Sequence, residues 1–271
     1  MMRALYTAAT GMRAQQTNVD NISNNIANVN TTAYKTQKTE FKSLLYQTIQ
    51  TRTTTANGEE KPVPAQVGLG TRVASNTTIY TQGSLLENDS KSALAIEGDG
   101  FFQVRGADGT DYYTRNGNFT WSIGTNGLTL SNSDGYPVLD STGKSIIIPN
   151  GVSETEVEIT SDGQVGYIAN NGTFVDLNQR IGLYQFNNPT GLDQVGSNLL
   201  RETTASGAPL NEATTAGLTA SKVHQGYLEG SNVQVADEMV NLITAQRAYQ
   251  LNSKAITTSD DMLEQANNLK R

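Results

Sequence analysis

One histidine, His224, and no cysteine occur in the chain. Thiol catalysis, disulfides, Cys-based zinc or iron–sulfur sites, and any site needing two imidazoles are therefore excluded. His224 as the base of a serine hydrolase would need a nucleophile elbow, and no Gly-x-Ser-x-Gly motif is present. A solvated histidine is the expectation. Asp260-Asp261 are adjacent on a helical stretch, so their carboxylates diverge and do not form an acid–base pair. Asp99, Asp108 and Asp111 sit among glycines as calcium ligands do, yet the EF-hand spacing and its bidentate Glu are missing; hairpin turns account for them. Tyr112, Tyr113, Phe119 and Trp121 have the makings of a sugar-binding face, but aromatic residues in strands are more commonly core or cross-strand pairs. With no phosphate-binding loop or dinucleotide fingerprint either, the sequence predicts no enzyme, no metal and no cofactor.

Of the 271 residues, 19 are Lys or Arg and 26 are Asp or Glu, for a formal charge of −7. That balance argues against a nucleic-acid partner. No run approaches the ~20 apolar residues of a membrane span, so direct membrane insertion is not expected. The first residues, from Met1 to Gly11, lack the apolar core of a cleavable signal peptide; a protein of this kind that leaves the cytoplasm does so by another route. Charged residues make up 17%, while Thr and Asn together supply 60 residues. Such a surface, polar through amides and hydroxyls, suits a protein meant to be covered.

Glycine and proline divide the chain. Residues 1–35 contain only Gly11 and residues 231–271 contain neither, so 24 of 25 glycines and all six prolines lie between. Because these residues break helices and mark turns, the ends are predicted helical and the middle β. Both ends carry a seven-residue apolar repeat. Leu5, Met12, Val19 and Ile26 form the first, with Ala8, Gln15, Ile22 and Val29 at intermediate positions. Val235, Leu242, Tyr249, Ile256 and Leu263 form the second. Sustained heptads indicate a narrow seam against another helix, and Ser231-Asn232-Val233-Gln234 reads as a capping box opening the second helix. Residues 1–34 hold only three charges, Arg3, Arg13 and Asp20, and an outer face of Gln16 and many asparagines. Amides can be buried among neighbouring chains without the desolvation cost of charges.

The middle carries Asp108-Gly109, Asn116-Gly117, Asn126-Gly127, Asp134-Gly135, Asp162-Gly163 and Asn171-Gly172 between short apolar runs. These dipeptides favour tight hairpin turns in which both residues adopt positive φ. Strands are predicted at Ala93–Ile96, Phe101–Val104, Phe119 with Trp121, Leu128 with Leu130, Ile146–Ile148 and Val157 with Ile159. The fold class is thus α+β: terminal helices pairing as a coiled coil around a central all-β domain of short antiparallel strands. The expected divisions are an N-terminal helical part at 1–35, an extended and partly mobile connector at 36–70 (Thr51–Thr55, Asn57–Pro62), a β domain at 71–226, and a C-terminal helical part at 227–271.

The stretch from Ala14 to Lys35 resembles the N-terminal signature of bacterial flagellar rod and hook proteins. Phe41–Ile49 resembles the segment that follows it in the distal-rod members. Gly98–Val104 is similar to the start of the family's outer β domain. Gln225–Val233 and Gln246–Ala255 resemble its C-terminal motifs. One departure is visible: the family usually has Gly where this chain has Ala33, and a positive φ there would strain Ala.

The resemblance implies a structural polymer without catalysis. Terminal helices would form the inner layer of a hollow helical tube, through Leu5, Met12, Val19, Ile22 and Ile26 against Val235, Leu242, Tyr249, Ile256 and Leu263. The β domain would face outward. Implied partners are further copies of the chain, proximal-rod and hook proteins, the rod cap and envelope rings. The implied location is the basal-body rod within the periplasmic or cell-wall zone, reached through the flagellar export apparatus. The distal rod is favoured over a proximal-rod paralogue. Rivals from other classes are a secreted carbohydrate-binding or hydrolytic β domain with helical oligomerisation arms, and a soluble export regulator.

Overall fold

A computed structural model describes residues 2–50, 65–124, 127–149, 151–169 and 173–269. The predicted features at Thr51–Thr55, Asn57–Pro62, Asn126 and Asn171-Gly172 lie outside these residues. Two units emerge: one of Met1–Ala27, Gln37–Thr78 and Gln234–Arg271, the other of Asn28–Thr36 and Ile79–Val233.

The first unit holds both helices, α1 at Met2–Ala27 and α2 at Val235–Asn268, about 39 and 51 Å long. They are shorter than the expected helical parts. α1 stops where Asn28 captures the turn: the Thr31 amide and hydroxyl donate to the Asn28 carbonyl and side chain, both at 3.1 Å. Such local bonds compete with the helix ladder. The predicted capping box does not form. Gln234 is the N-cap of α2 and makes no side-chain cap bond, and Ser231 instead accepts the Val233 amide at 3.3 Å. Asp237 and Glu238 in the first turn suit the positive end of the helix dipole.

Two antiparallel ribbons complete this unit. Gln37–Ser43 pairs with Thr71–Thr78, and Tyr46–Gln50 pairs with Ala65–Gly68. Gln37–Ser43, in the expected connector, thus pairs with Thr71–Thr78, at the start of the expected β domain; pairing across some 35 residues is not visible in a linear reading. Asn21 and Asn25 of α1 hold the first ribbon: Asn21 Nδ2 donates to Thr39 Oγ1 at 3.0 Å, and Asn25 exchanges bonds of 2.8 and 3.0 Å with the Gln37 main chain.

The second unit is built of short antiparallel strands, as the turn spacing predicts. Its largest sheet has six strands in the order Asp193–Gly196, Leu199–Arg201, Asp111–Thr114, Phe101–Arg105, Leu183–Gln185 and Leu210–Asn211. Two three-stranded sheets span Thr120–Ile148 and Val157–Arg180, with some connecting residues outside the described set. Leu94–Glu97 pairs with Lys222–Gln225, and Leu85–Glu87 with Tyr227–Glu229. Alternation along Phe101–Arg105 sends Phe101 to a cluster with Tyr113, Tyr184 and Phe186. Phe102 and Val104 enter the larger core with Leu94, Ile96 and Phe119.

The turns differ from the expected two-residue type. Four share one geometry, closing at Gly109, Gly135, Gly143 and Gly163. Each glycine donates to the carbonyl three residues before it and has φ between 79° and 82°. The preceding Asp or Thr is not in the positive-φ region. This is a type I turn followed by a left-handed glycine, which needs one such residue rather than two. Asn116-Gly117 is not a turn of this kind; a Cβ at Gly117 would overlap the Leu94 carbonyl, so glycine there permits close strand approach.

Candidate assembly interface

Within the first unit α1 and α2 run antiparallel. Asn25 Nδ2 donates to Glu238 Oε2 at 3.2 Å, and a Cβ on Gly11 would lie 2.9 Å from Asn252 Nδ2. The residues at this seam are small or polar. On α2, Glu238, Ala245 and Ser259 are buried, and with Asn252 they are spaced by sevens. On α1 the buried residues are Ala8, Ala14, Asn21, Ile22 and Asn25.

Of the ten predicted seam residues, Ile22 is buried. Leu5, Met12, Val19, Ile26, Leu242, Ile256 and Leu263 are half-buried, and Val235 and Tyr249 are exposed. The most buried positions of α2, Glu238, Ala245 and Ser259, lie beside the half-buried Leu242, Ile256 and Leu263. Val19 and Tyr249 line a notch of about 360 Å³ together with Gln16, Gln246 and Gln250.

Other large apolar side chains of α2 are exposed. At 3.6 residues per turn, Val240 and Ile243 fall opposite the Glu238–Ala245–Asn252–Ser259 stripe, and Met239 and Leu251 fall on its two flanks. Ile243 is 51% and Leu251 72% exposed. Met2 and Tyr6 on α1 are exposed as well, and so are Leu45, just before the second ribbon, and Tyr46 and Ile49 on it. A two-stranded ribbon with uncovered apolar residues is marginal in water, and grouped exposed apolar residues mark interaction surfaces.

The second unit contains an ion cluster absent from the sequence reading. Glu229, whose side chain is fully buried, receives Lys35 Nζ on one oxygen at 2.6 Å and Arg115 Nε on the other at 3.0 Å. The Gly83 amide also donates to it. Lys35 donates to the Thr81 carbonyl, and Arg115 donates to the Gly98 carbonyl while lying over the Phe101 ring. Burial, with the like charge of Arg115 adding to it, holds the Lys35 ammonium below the usual lysine range against the opposing pull of Glu229. Burial also pushes the Tyr80 phenol up to about 12.

Around this cluster the two segments that continue into the helices are tied to the β strands. Ala33 donates its amide to the Glu229 carbonyl at 2.8 Å and adopts φ 56°, the positive value the Gly-to-Ala departure made costly. Asn232 accepts from the Thr36 amide and hydroxyl and donates to the Ile79 and Thr81 carbonyls. Nothing in the sequence pairs Lys35 with Glu229, which is 194 residues away; the only signal is an acid inside an otherwise uncharged run at 225–233.

The candidate chemistry is dispersed. His224 Nε2 meets Glu97 Oε2 at 2.8 Å on a partly exposed surface, and that bond holds the Glu97 carboxyl below its usual range. Asp108 caps its own turn through Thr110 and Tyr112, Asp111 pairs with Arg105, and Asp99 is exposed. Asp260 and Asp261 are exposed on α2. Tyr113 belongs to one apolar cluster, whereas Tyr112, Phe119 and Trp121 belong to the other, so the four aromatics form no common face. Among the described residues no group of metal-ligating side chains converges, and no helix is long and apolar enough to cross a membrane.

A chain with exposed apolar helical faces matches proteins built to assemble. Residues 5–35 match the family described as flagella basal body rod protein, residues 95–167 the flagellar hook protein FlgE/F/G D1 domain, and residues 224–269 the flagellar basal body rod FlgEFG protein C-terminal family. The chain belongs to this flagellar rod and hook family, whose members are structural proteins and not enzymes. It is 45% identical to the flagellar basal-body rod protein FlgG of Borreliella burgdorferi, with all of both chains covered. Identity to FlgG of Agrobacterium fabrum is 45%, over 96% of this chain and 97% of that one. The Bacillus subtilis FlgG is 41% identical over the full length of both.

Proposed function

We propose that this chain is a structural subunit of the flagellar distal rod, polymerising into a hollow helical shaft that carries torque to the hook. The observation that carries the reading is the helix pair: its most buried positions are mostly small or polar, while Met239, Val240, Ile243 and Leu251 stay exposed. Such a pair gains more by packing against neighbours than it gains alone. In the polymer, α1 and α2 form an inner coiled-coil layer, and the seven-residue spacing of Glu238, Ala245, Asn252 and Ser259 supports that arrangement. Leu5, Met12, Val19, Ile22 and Ile26, with Val235, Leu242, Tyr249, Ile256 and Leu263, contribute to contacts within and between subunits, the exposed Val235 and Tyr249 to those between.

Full-length similarity to FlgG proteins supports the distal rod over a paralogue. Within one organism, Bacillus subtilis, identity is 41% to FlgG but 32% to the flagellar hook-basal body complex protein FlhP. Proximal-rod and hook proteins are the partners at the two ends of the shaft, with rod cap and envelope rings as further contacts in the envelope zone. The two ribbons brace neighbouring subunits through Tyr46, Ile49 and the adjoining Leu45.

Negative-stain microscopy of the full chain at rising concentration, with and without purified basal bodies as seeds, tests this reading. Tubes, or growth on the seeds, are expected. Dispersed particles that also fail to extend the seeds would refute it.

A further inference from the structure

We propose that Glu229 gates the folding of the β unit, which cannot close until the segment after Ser221 is in place and then closes as a whole. Three separate features of the unit wait for that segment. Among the described residues, Leu94–Glu97 finds its partner strand in Lys222–Gln225 alone and Leu85–Glu87 in Tyr227–Glu229 alone. Among the same residues Lys35 and Arg115, both nearly inaccessible to solvent, find their carboxylate in Glu229 alone.

The ion cluster makes the dependence steep. Arg115 directly follows the strand Asp111–Thr114, so completing the Phe101–Thr114 hairpin carries its guanidinium toward Phe101 and the Gly98 carbonyl. Without Glu229 that site holds two cations and no anion, and burying an uncompensated charge costs a large part of a domain's stability. The hairpins can form locally, but packing them together requires the last carboxylate. A chain appearing from its N-terminus therefore keeps this unit open until about five-sixths of its length has arrived, a figure set by the position of residue 229 among 271. The inference rests on the cluster and these strand pairings, not on the rod reading.

Native-state hydrogen exchange on the full-length Glu229→Gln chain tests it, alongside a Lys35→Met/Arg115→Met/Glu229→Leu chain that buries no charge. In Glu229→Gln, protection across Phe101–Arg105, Asp111–Thr114 and Gly127–Ser131 is expected to fall by a common factor of about a hundredfold or more. In the triple variant it is expected to return to within about tenfold of the parent. Loss of protection confined to residues 28–36 and 227–233 would overturn the proposal, since the cluster would then be a local clasp. If both variants fail to fold, charge is not the gate and the proposal also falls.

Discussion

Replacing Leu251 by Asp separates an outward assembly face from a helix core. Leu251 is 72% exposed in the single chain. Full burial of a leucine side chain is worth roughly 1.5–3 kcal/mol, so a neighbour that covers this one gains about 1–2 kcal/mol of it. Aspartate forfeits that gain and places an unpaired carboxylate in the contact, at a further cost of about 1–3 kcal/mol. Each 1.4 kcal/mol is a factor of about ten in an equilibrium constant. The threshold concentration for polymer growth, measured by sedimentation, should therefore rise at least tenfold. The single chain should barely notice, because an exposed substitution shifts stability by no more than about 0.5 kcal/mol. Ala245→Asp is the counterpart: Ala245 is 2% exposed at the α1–α2 seam, so its loss should abolish the 222 nm helix signal even in dilute protein. If Leu251→Asp melts the helices as Ala245→Asp does while leaving the growth threshold unchanged, the assignment of inside and outside is reversed and the reasoning fails.

Three further outcomes follow from the structure, and Trp121, the single tryptophan, reports those in its own unit. Ala33 sits at φ 56°, where a left-handed alanine costs about 1–2 kcal/mol. Ala33→Gly should raise the denaturation midpoint of Trp121 fluorescence by roughly 0.5–1 kcal/mol after glycine's entropic cost, and Ala33→Val should lower it; a lower midpoint for the glycine variant would contradict the strain argument. Asn25 satisfies both main-chain groups of Gln37 and one oxygen of Glu238, so Asn25→Leu should cost about 2–4 kcal/mol in the helical unit by leaving buried polar groups unpaired; an unchanged helix melting curve would show these bonds to be idle. Above pH 10 the Trp121 midpoint should fall. The Tyr80 phenol, held at about 12, and those of Tyr113 and Tyr184, also pushed up by burial, keep their protons in the folded state while the unfolded chain releases them near 10. Lys35, held below the lysine range, acts oppositely but as one group against three. A midpoint flat from pH 9.5 to 11.5 would show the phenols to be solvated.

Much of this architecture is local and therefore readable from the chain. The helical ends follow from where glycine and proline are absent, and the strands from apolar runs between Asp-Gly pairs; Phe101–Arg105 and Val157–Ile159 fall where expected. What the linear pattern hides is non-local. The heptad of Val235, Leu242 and Tyr249 identifies apolar positions but not which neighbour they meet, and the more deeply buried positions of α2 include Ala245 and Ser259. Likewise Lys35 closes a recognisable N-terminal motif and Glu229 lies in a C-terminal one, yet no spacing rule joins them. A triad drawn from residues 35, 115 and 229 exists only once the β unit has closed.

The asparagines that look like poor helix formers are the clearest case of a local rule set aside for a non-local gain. Asn21 and Asn25 lower the intrinsic propensity of α1 by about 0.5–0.7 kcal/mol each relative to alanine. Each returns more by bonding the first ribbon, since a buried amide with its partners satisfied contributes about 1 kcal/mol per bond. Lysine or glutamate at the same positions would suit an isolated helix better but would carry a charge into a site shared with the buried Glu238. Amides thus let α1 bond the ribbon and α2 together at close range while Met239, Val240, Ile243 and Leu251 remain exposed. A subunit that must form the middle of a wall, and not the surface of a globule, needs that distribution.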